Sequence, residues 1–370
     1  MLIGLYDPYL AALGGGEKYF LTILEEATRI SGAEVLLLAP DPPDAGAWRR
    51  LGIDVPANAF TWVRADDAVV TERSRELDLL VAMSNDVPPL NHARRAVATV
   101  QFQTRPRDAF RERALALALA AIGRRRAPAA LRSYDTFICY SRFARSHIER
   151  RLGIAEAIVI PPPVDEATTT PLAKQASIAA VGRFFTGRHN KRHDVLIRAF
   201  ASLHDRLGDE SGWELHLVGG APLDRGSQAH LDGLRALAAE LPISFHVNAP
   251  AEERDAVLAR SSLFWHATGF GEREDRHPER LEHFGIATVE AMAHGAVPLV
   301  VPAGGQREIV ADGQTGRHWT GVDELVSQSA ELIADDARRE RMSAAAREAS
   351  RRFAKPRFLA AVREHILPGG

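Results

Sequence analysis

Short apolar runs with the length of buried strands alternate with helical or loop segments along almost the whole chain, and this alternation constrains the fold most strongly. In the first half the runs lie at residues 2–6, 34–39, 77–83, 96–102 and 136–140. In the second half they lie at residues 177–181, 214–218, 243–246 and 263–266. Strands that alternate with helices form parallel, doubly wound sheets. The sequence therefore predicts an α/β protein.

Three consecutive prolines, Pro161–Pro163, separate the two series of strands. Proline cannot continue a strand ladder or a helix interior, so this run makes a semi-rigid spacer. A chain of 370 residues is also too long for one ordinary core. We predict a first domain over residues 1–163 and a second over residues 164–352. The helical segment at about 353–370 is expected to cross back to the first domain.

The composition excludes several classes of protein. The formal net charge of −2 gives no bulk electrostatic attraction to nucleic acid. The single cysteine, Cys139, rules out an internal disulfide framework and fits a reducing compartment. No run of 18 apolar residues is present, and Met1 leads directly into a strand-like run. We therefore expect a cytoplasmic protein.

A basic, apolar segment at residues 110–132 has two interpretations. It is rich in Ala and Leu and carries Arg124–Arg126. Such a helix suits an anionic membrane surface, which would bring the protein to the membrane periphery. A core helix with a solvated basic end is the simpler interpretation and the favoured one.

Residues 282–310 have the features of a ligand-binding edge. A helix is predicted over residues 286–293, and Gly295 is suited to end it with a left-handed cap. Residues 296–301 are predicted as a short buried strand, and Gly304-Gly305 as a tight turn. Glu282 and Glu290 are eight positions apart, so on one continuous helix they would point roughly 80° apart. They can approach one ligand only if Glu282 stands in the loop before the helix, and we predict that arrangement.

A glycine turn, Gly14, Gly15 and Gly16, falls between the first strand and the first helix. Bare backbone N–H groups and a helix N-terminus could face an anion there. A plain turn explains the glycines equally well, because glycine often serves backbone geometry alone.

A second candidate phosphate site lies in the second half of the chain. Gly182 and Arg183 follow a strand, and Lys191 stands just before a helix. Two cations together with a helix N-terminus suit a pyrophosphate, which needs charge and directional donors. Gly219 ends the next strand in a turn that lets a ligand approach the backbone closely.

In this order, these motifs resemble the large retaining glycosyltransferase family 4, also called group 1. The motifs that carry the resemblance are Glu282-x7-Glu290, the glycine turn at 14–16, SRFARSHIERRLG at 141–153, VIPPPVD at 159–165, VGRF at 181–184 with Lys191, and HLVGG at 216–220. The resemblance spans nearly the whole chain and is strongest in the second domain. It implies a GT-B fold, with two Rossmann-like domains that face each other across a cleft.

The resemblance also implies a reaction. A hexose would pass from a UDP- or GDP-sugar to a glycan or lipid-linked glycan, with retention of configuration and without a metal or other cofactor. Arg183 and Lys191 would neutralise the diphosphate leaving group. Glu282 would bind hydroxyls of the donor sugar and Glu290 those of the ribose. The departing diphosphate is the favoured base, and Glu282 as a covalent nucleophile is the minor alternative.

Backbone groups complete the implied donor site. Gly15 and Gly16 would let the first domain approach the diphosphate when the cleft closes. Backbone N–H groups would meet the phosphate or sugar at a helix N-terminus, from Phe284, Gly285, Ile286 and Ala287.

One feature departs from the family pattern. Many members carry a histidine after a first-domain strand, and here Gln101 or Gln103 takes that place. Glutamine cannot titrate near neutrality, so we assign these residues to acceptor binding or positioning and not to acid–base chemistry.

No metal site is expected. Acidic residues and arginines are interleaved before Glu282, at Glu272, Arg273, Glu274, Asp275, Arg276 and Arg280. Such a pattern favours a mutually neutralised surface loop. Trp265 and His266 are expected to be core and pocket-wall residues.

Two other functions stay open. The same scaffold could serve a nucleotide-sugar epimerase or hydrolase, although no well-placed acid–base pair is evident. It could also serve a non-catalytic partner that binds a sugar nucleotide, which the missing histidine would allow.

Overall fold

The structure is a computed structural model and describes residues 1–12, 14–85, 87–102, 129–165, 172–186 and 190–367. Gln103 and residues 110–128 of the basic, apolar segment lie outside these ranges. The chain divides into two compact units. The first unit is Met1–Pro163 with Lys355–Gly370, and the second is Val164–Ala354.

The first unit is built on a seven-stranded sheet with the strand order β3-β2-β1-β4-β5-β6-β7, in which all neighbours are parallel. The strands are β1 Leu2–Tyr6, β2 Glu34–Ala39, β3 Thr61–Arg64, β4 Leu79–Ser84, β5 Arg95–Val100, β6 Thr136–Cys139 and β7 Ile158–Val159. The described helices are Gly15–Ala27, Ala45–Arg50, Asp67–Arg73, Ala129–Arg132, Arg142–Leu152 and Lys355–His365, with 3-10 turns at Leu10–Ala12 and Ser74–Glu76.

The second unit is built on a six-stranded sheet with the order β10-β9-β8-β11-β12-β13, again parallel throughout. The strands are β8 Gln175–Val181, β9 Glu214–Gly219, β10 Ile243–Val247, β11 Ser261–His266, β12 Val297–Val300 and β13 Arg317–His318. The described helices are His193–Leu207, Arg225–Leu237, Ala251–Arg260, Ile286–Ala293, Gln306–Ile309, Val322–Ala334 and Asp336–Ser350, with 3-10 turns at Asp209–Ser211, Pro278–Arg280 and Arg351–Phe353.

Each sheet has one point at which the strand order reverses, between β1 and β4 in the first unit and between β8 and β11 in the second. The chain leaves the two strands at such a point in opposite directions, which opens a crevice at their carboxyl ends. Ligands of open α/β sheets bind in that crevice. Gly182 follows β8 and His266 ends β11, so both lie at the crevice of the second unit.

Burial on both faces explains why the central strands read as apolar runs. Every residue of β4 and of β11 is buried, as expected for parallel strands covered by helices on two sides. On β11, Trp265 is 1% exposed and its indole N–H donates to Ser329 at 3.1 Å. Phe200 from the helix His193–Leu207 meets the same indole edge to face. The core therefore fixes the strand that carries His266.

The helix Lys355–His365 belongs to the first unit, as the sequence predicted. Its Phe358 is buried and packs edge-on against Tyr19, with ring centroids 4.8 Å apart. Lys355 also pairs with Glu25 at 2.8 Å. The end of the chain therefore contributes to the core of its first unit.

The predicted α/β architecture is confirmed. Each apolar run predicted as a strand overlaps an observed strand, with shifts of no more than two residues at either end. The predicted helix over 286–293 is present, and Gly295 follows it at φ +77°, in the left-handed region. Three short strands were not predicted: Thr61–Arg64 is half exposed, and Ile158–Val159 and Arg317–His318 have only two residues each.

Candidate active site

Two glycines bring Lys191 to the carboxyl end of β8. A Cβ at Gly182 would lie 2.4 Å from Lys191 Cγ, so only glycine lets the lysine chain cross at this point. A Cβ at Gly219 would lie 1.9 Å from the Gly182 carbonyl oxygen. The predicted glycine turns after β8 and β9 therefore serve close packing of backbone and lysine.

Lys191 and His266 converge on one oxygen of Glu282. Lys191 Nζ lies 2.6 Å from Glu282 Oε2, and His266 Nε2 lies 3.0 Å from the same atom. The side chains of Lys191 and Glu282 are 20% and 16% exposed, and that of His266 is 4% exposed. The three residues form a largely buried polar cluster at the crevice between β8 and β11.

The cluster keeps Glu282 ionised. Burial alone would raise the pKa of this carboxyl, but the ammonium of Lys191 and the hydrogen bond with His266 outweigh that effect. The pKa of Glu282 therefore lies well below its ordinary value. At neutral pH the side chain is a carboxylate, which accepts hydrogen bonds and does not donate them.

His266 stays uncharged in this environment. Burial lowers the pKa of the imidazole, and the neighbouring Glu282 offsets only part of that effect. Gln306 Nε2 lies 3.4 Å from His266 Nε2 and donates to Thr288 Oγ1 at 3.0 Å. The other ring nitrogen of His266, Nδ1, is buried without a hydrogen-bond partner among the described residues.

The glycine turn Gly304-Gly305 holds the loop that carries Glu282. Gly305 N–H donates to the Glu282 carbonyl at 2.8 Å. Gly304 has φ +61°, and a Cβ there would lie 2.2 Å from the same carbonyl oxygen. The loop therefore fits against the turn with no space for a side chain, and Glu282 stands before the helix, as the sequence predicted.

Free backbone donors lie next to Glu282, at the start of the helix Ile286–Ala293. The sequence predicted that four backbone N–H groups bind the phosphate or sugar, those of Phe284, Gly285, Ile286 and Ala287. Within the described part of the chain, none of these groups donates a hydrogen bond. The first turn of a helix leaves such groups unpaired, and together they favour an anion.

Glu290 has a different environment on the same helix. Its carboxylate lies 3.8 Å from Arg254, and this charge is the main reason why the pKa of Arg254 is raised. Glu290 is 13% exposed in its side chain. The structure therefore separates the two glutamates, each with its own cation.

Arg183 is exposed and lies over the ring of Phe185, with 5.0 Å between its guanidinium carbon and the ring centroid. No carboxylate among the described residues pairs with it. Among the described residues, its charge therefore has no ion-pair partner at the strand end next to Gly182.

In the first unit, the structure brings Gln101 and the glycine turn together. The helix begins at Gly15, after Gly14, whose N–H donates to Glu17 at 2.6 Å. A Cβ at Gly16 would lie 2.2 Å from Gln101 Nε2. Gln101 therefore packs directly on Gly16, a contact that the sequence did not predict.

The loop after β11 is tied to the start of the helix His193–Leu207. Arg192 has φ +52° and donates from Nη1 to the carbonyl of Phe270 at 2.8 Å. Two ion pairs form within this loop, as the interleaved pattern predicted, and a third joins the loop to the helix Gln306–Ile309. The pairs are Arg280 with Glu272, Arg273 with Asp275, and Arg307 with Glu274.

No three His, Cys, Asp or Glu side chains among the described residues converge so that they could hold a metal ion. No helix in the described ranges is long and apolar enough to cross a membrane.

His266 was predicted only as a core or pocket-wall residue, and its contact with Glu282 was not predicted. Gln306 and Thr288, which lie beside it, were not predicted as site residues. A histidine at the end of a fully buried strand is the one available signal, because burial of a polar ring calls for a partner. That partner, Glu282, lies 16 residues further along the chain.

The known proteins that this chain resembles in sequence are glycosyltransferases. Residues 168–349 match the family model described as glycosyl transferases group 1. The GDP-mannose-dependent alpha-(1-6)-phosphatidylinositol monomannoside mannosyltransferase of Mycolicibacterium smegmatis is 29% identical over 236 residues, which cover 58% of this chain and 56% of that enzyme. The GDP-Man:Man(3)GlcNAc(2)-PP-Dol alpha-1,2-mannosyltransferase of Xenopus laevis is 32% identical over 158 residues, which cover 40% of this chain and 29% of that enzyme.

The chain thus matches little more than half of one relative's length and less than a third of the other's. The crystal structure of Anabaena HepE in complex with UDP and glucose superposes with a TM-score of 0.70 at 20% identity, and the match covers 98% of both chains. Residues 168–349 therefore resemble the glycosyl transferases group 1, and the two doubly wound units have the GT-B fold.

Proposed function

We propose that this chain transfers a hexose from a nucleotide-diphosphate sugar to a glycan or lipid-linked glycan, with retention of configuration and without a metal. The observation that carries the proposal is the Lys191–Glu282–His266 cluster at the crevice between β8 and β11. It stands beside the free N–H groups at the start of the helix Ile286–Ala293. A sugar diphosphate needs both features, donors for its phosphates and a carboxylate for its hydroxyls.

Positive groups would stabilise the leaving diphosphate. The charge on these phosphates grows as the bond to the sugar breaks, so fixed donors lower the barrier. Lys191 would share its ammonium between Glu282 and a phosphate oxygen, and Arg183 would leave the face of Phe185 to reach the second phosphate. The departing phosphate would take the proton of the acceptor hydroxyl, which requires no further base.

Two carboxylates would hold the hydroxyls of the donor. Glu282 would bind the sugar, since it stands in the loop nearest Lys191. Glu290 would bind the ribose from the helix, where Arg254 keeps its charge compensated.

GDP-mannose is the first donor to test, because two relatives with partial matches are named as mannosyltransferases that use a GDP-linked mannose. Both names also specify lipid-linked acceptors, a phosphatidylinositol mannoside and a dolichol-linked glycan. UDP-glucose is the second donor, since the Anabaena structure contains UDP and glucose.

A transfer assay over a panel of GDP- and UDP-sugars tests the proposal. One donor should support transfer to a lipid-linked glycan, or slow hydrolysis without an acceptor, and proton NMR of the product should show the anomeric configuration of the donor. We expect Lys191→Ala and Glu282→Ala to lower kcat/KM about 100-fold or more. The exposed Glu331→Ala serves as the control. Full turnover in both site variants would reject these roles.

The same assay separates the two other functions. Sugar isomerisation or release of free sugar at full rate without an acceptor would indicate an epimerase or a hydrolase. Binding of a sugar nucleotide without any turnover would indicate a non-catalytic partner. Gln101 is compatible with that hypothesis, because glutamine cannot act as an acid or a base.

A further inference from the structure

One oxygen of Glu282 is occupied by the protein and the other is open. Lys191 Nζ and His266 Nε2 both contact Oε2, at 2.6 Å and 3.0 Å. No hydrogen bond among the described residues reaches Oε1. Each carboxylate oxygen can accept about two hydrogen bonds. The protein therefore saturates Oε2 and leaves Oε1 for a ligand.

We propose that His266 is a positioning residue that fixes the orientation of the Glu282 carboxylate, so that Oε1 is presented to a hydroxyl of the donor sugar. This role rests on the proposed function, since it requires a sugar at the site. Lys191 alone could not perform it, because a flexible ammonium is a point charge without directional preference. The ring of His266 is buried at the end of β11, so its N–H points in a fixed direction.

The protonation state of the ring follows from its partner. Glu282 is a carboxylate and only accepts, so the proton of the neutral ring of His266 must be on Nε2. Nδ1 then carries the lone pair, and it is the atom that is buried without a partner. Such an unpaired acceptor costs stability, and an apolar side chain would avoid that cost. The hydrogen bond from Nε2–H to Glu282 offsets this loss of stability.

Gln306 packs against the same edge of the ring. Its side chain is fully buried between His266 and Thr288, and its amide donates to the threonine hydroxyl at 3.0 Å. Gly285 leaves the space for this amide, because a Cβ there would lie 2.4 Å from Gln306 Nε2. The amide of Gln306 packs 3.4 Å from His266 Nε2 without a hydrogen bond, because two N–H groups that face each other cannot bond. Among the described residues, the Nε2–H of the ring therefore has Glu282 as its acceptor.

The test compares His266→Leu with His266→Gln. Leucine removes the donor, whereas the amide of glutamine can replace the ring Nε2–H. For the leucine variant we expect the donor KM to rise about 10-fold or more, while the Kd of the free nucleoside diphosphate stays within about threefold. The acid limb of kcat/KM should also move to higher pH, because a carboxylate that loses a donor is protonated more easily. The glutamine variant should keep both quantities near the wild-type values.

Ser329→Ala is the matched control. It removes the buried partner of Trp265, the residue before His266 on β11, so it lowers Tm without moving the donor KM or the acid limb. Equal losses of Tm in both His266 variants, with KM and acid limb unchanged, would overturn the role.

In 15N NMR of the wild type, the ring of His266 should be the neutral Nε2–H tautomer, and the Nδ1–H tautomer would also overturn the role. If the wild type binds no sugar nucleotide, the proposed function fails, and this role fails with it.

Discussion

Glu282 and Glu290 belong to one motif and yet have different partners. Glu282 stands in a loop between Lys191 and His266, and Glu290 stands on a helix beside Arg254. Helical geometry predicted that separation from spacing alone. The partners could not be predicted, because Lys191 lies 91 residues before Glu282 and no periodic pattern links them.

The ion pair between Lys191 and Glu282 gives a prediction at the scale of residues. Lys191→Met leaves a buried carboxylate without its cation, and we expect a loss of about 3–5 kcal/mol in the free energy of unfolding at pH 7. The pair lowers the pKa of Glu282 in the folded state, so its stabilisation is present above the unfolded pKa and is lost as pH falls. The penalty of Lys191→Met should therefore shrink in acid.

A double-mutant cycle measures that coupling. In the Lys191→Met background, Glu282→Gln should recover most of the lost stability, since no uncompensated charge remains. Chemical denaturation of the four proteins at pH 7 and pH 4 gives the coupling energy. Additive losses at both pH values would mean that the two side chains do not interact.

Asp7, which follows β1, gives a second prediction at this scale. Burial raises its pKa to about 7, with Glu17 contributing in the same direction and the N–H of Tyr9 opposing it. A raised folded pKa favours the protonated form, so stability falls as pH rises from about 4 towards 7. Asp7→Asn should be neutral near pH 4 and more stable than the wild type at pH 8, by up to about 4 kcal/mol.

Thermal unfolding across pH 4–8 checks this expectation. The asparagine keeps an oxygen for the Tyr9 N–H, which Asp7 accepts at 2.8 Å. Exposed Asp54→Asn is the control and should change Tm little at any pH. A constant difference in Tm between Asp7→Asn and the wild type across this range would show that Asp7 does not titrate there.

At the scale of elements, the strands and the helix Ile286–Ala293 were predictable because they repeat a simple pattern of burial. Continuous apolar runs identified the central strands, which are covered on both faces. Edge strands carry little of that signal, and three of them were missed: Thr61–Arg64, Ile158–Val159 and Arg317–His318. Gly304 and Gly305 were predicted as a turn, but their packing against the Glu282 carbonyl depends on a loop that no local pattern specifies.

Alanine at Gly304 tests that packing. Its Cβ would lie 2.2 Å from the Glu282 carbonyl oxygen, and its φ of +61° is unfavourable for any side chain. We expect Gly304→Ala to cost about 3 kcal/mol or more and to weaken donor binding, because the loop must move. Gly313 has φ +72° with no atom within 4 Å of the same position. Gly313→Ala should cost only about 1 kcal/mol and leave donor binding unchanged. Equal effects of the two variants would contradict this account of the loop.

At the scale of the whole molecule, each unit has its own core, and the helix Lys355–His365 packs into the core of the first unit. Phe358 on the helix Lys355–His365 packs against Tyr19 in that core. Phe358→Ala should cost about 3–5 kcal/mol and should lower amide protection in the helices Gly15–Ala27 and Lys355–His365. Protection in the helix Ile286–Ala293, which lies in the second unit, should stay as it is.

Hydrogen exchange resolves the two units in one experiment. Exposed Arg357→Ala, one position earlier, is the control and should leave protection unchanged. Loss of protection in the second unit as well would mean that the two cores unfold together.

Calorimetric titration of GDP, UDP and their sugars tests the central claim most directly, namely that the cluster around Lys191 and Glu282 binds a sugar nucleotide. One nucleoside diphosphate should bind to the wild type with one site per chain, and Lys191→Ala should weaken it. The corresponding sugar nucleotide should bind more tightly than the diphosphate, and Glu282→Ala should remove that difference. Absence of binding by the wild type, or binding that neither substitution changes, would contradict the account.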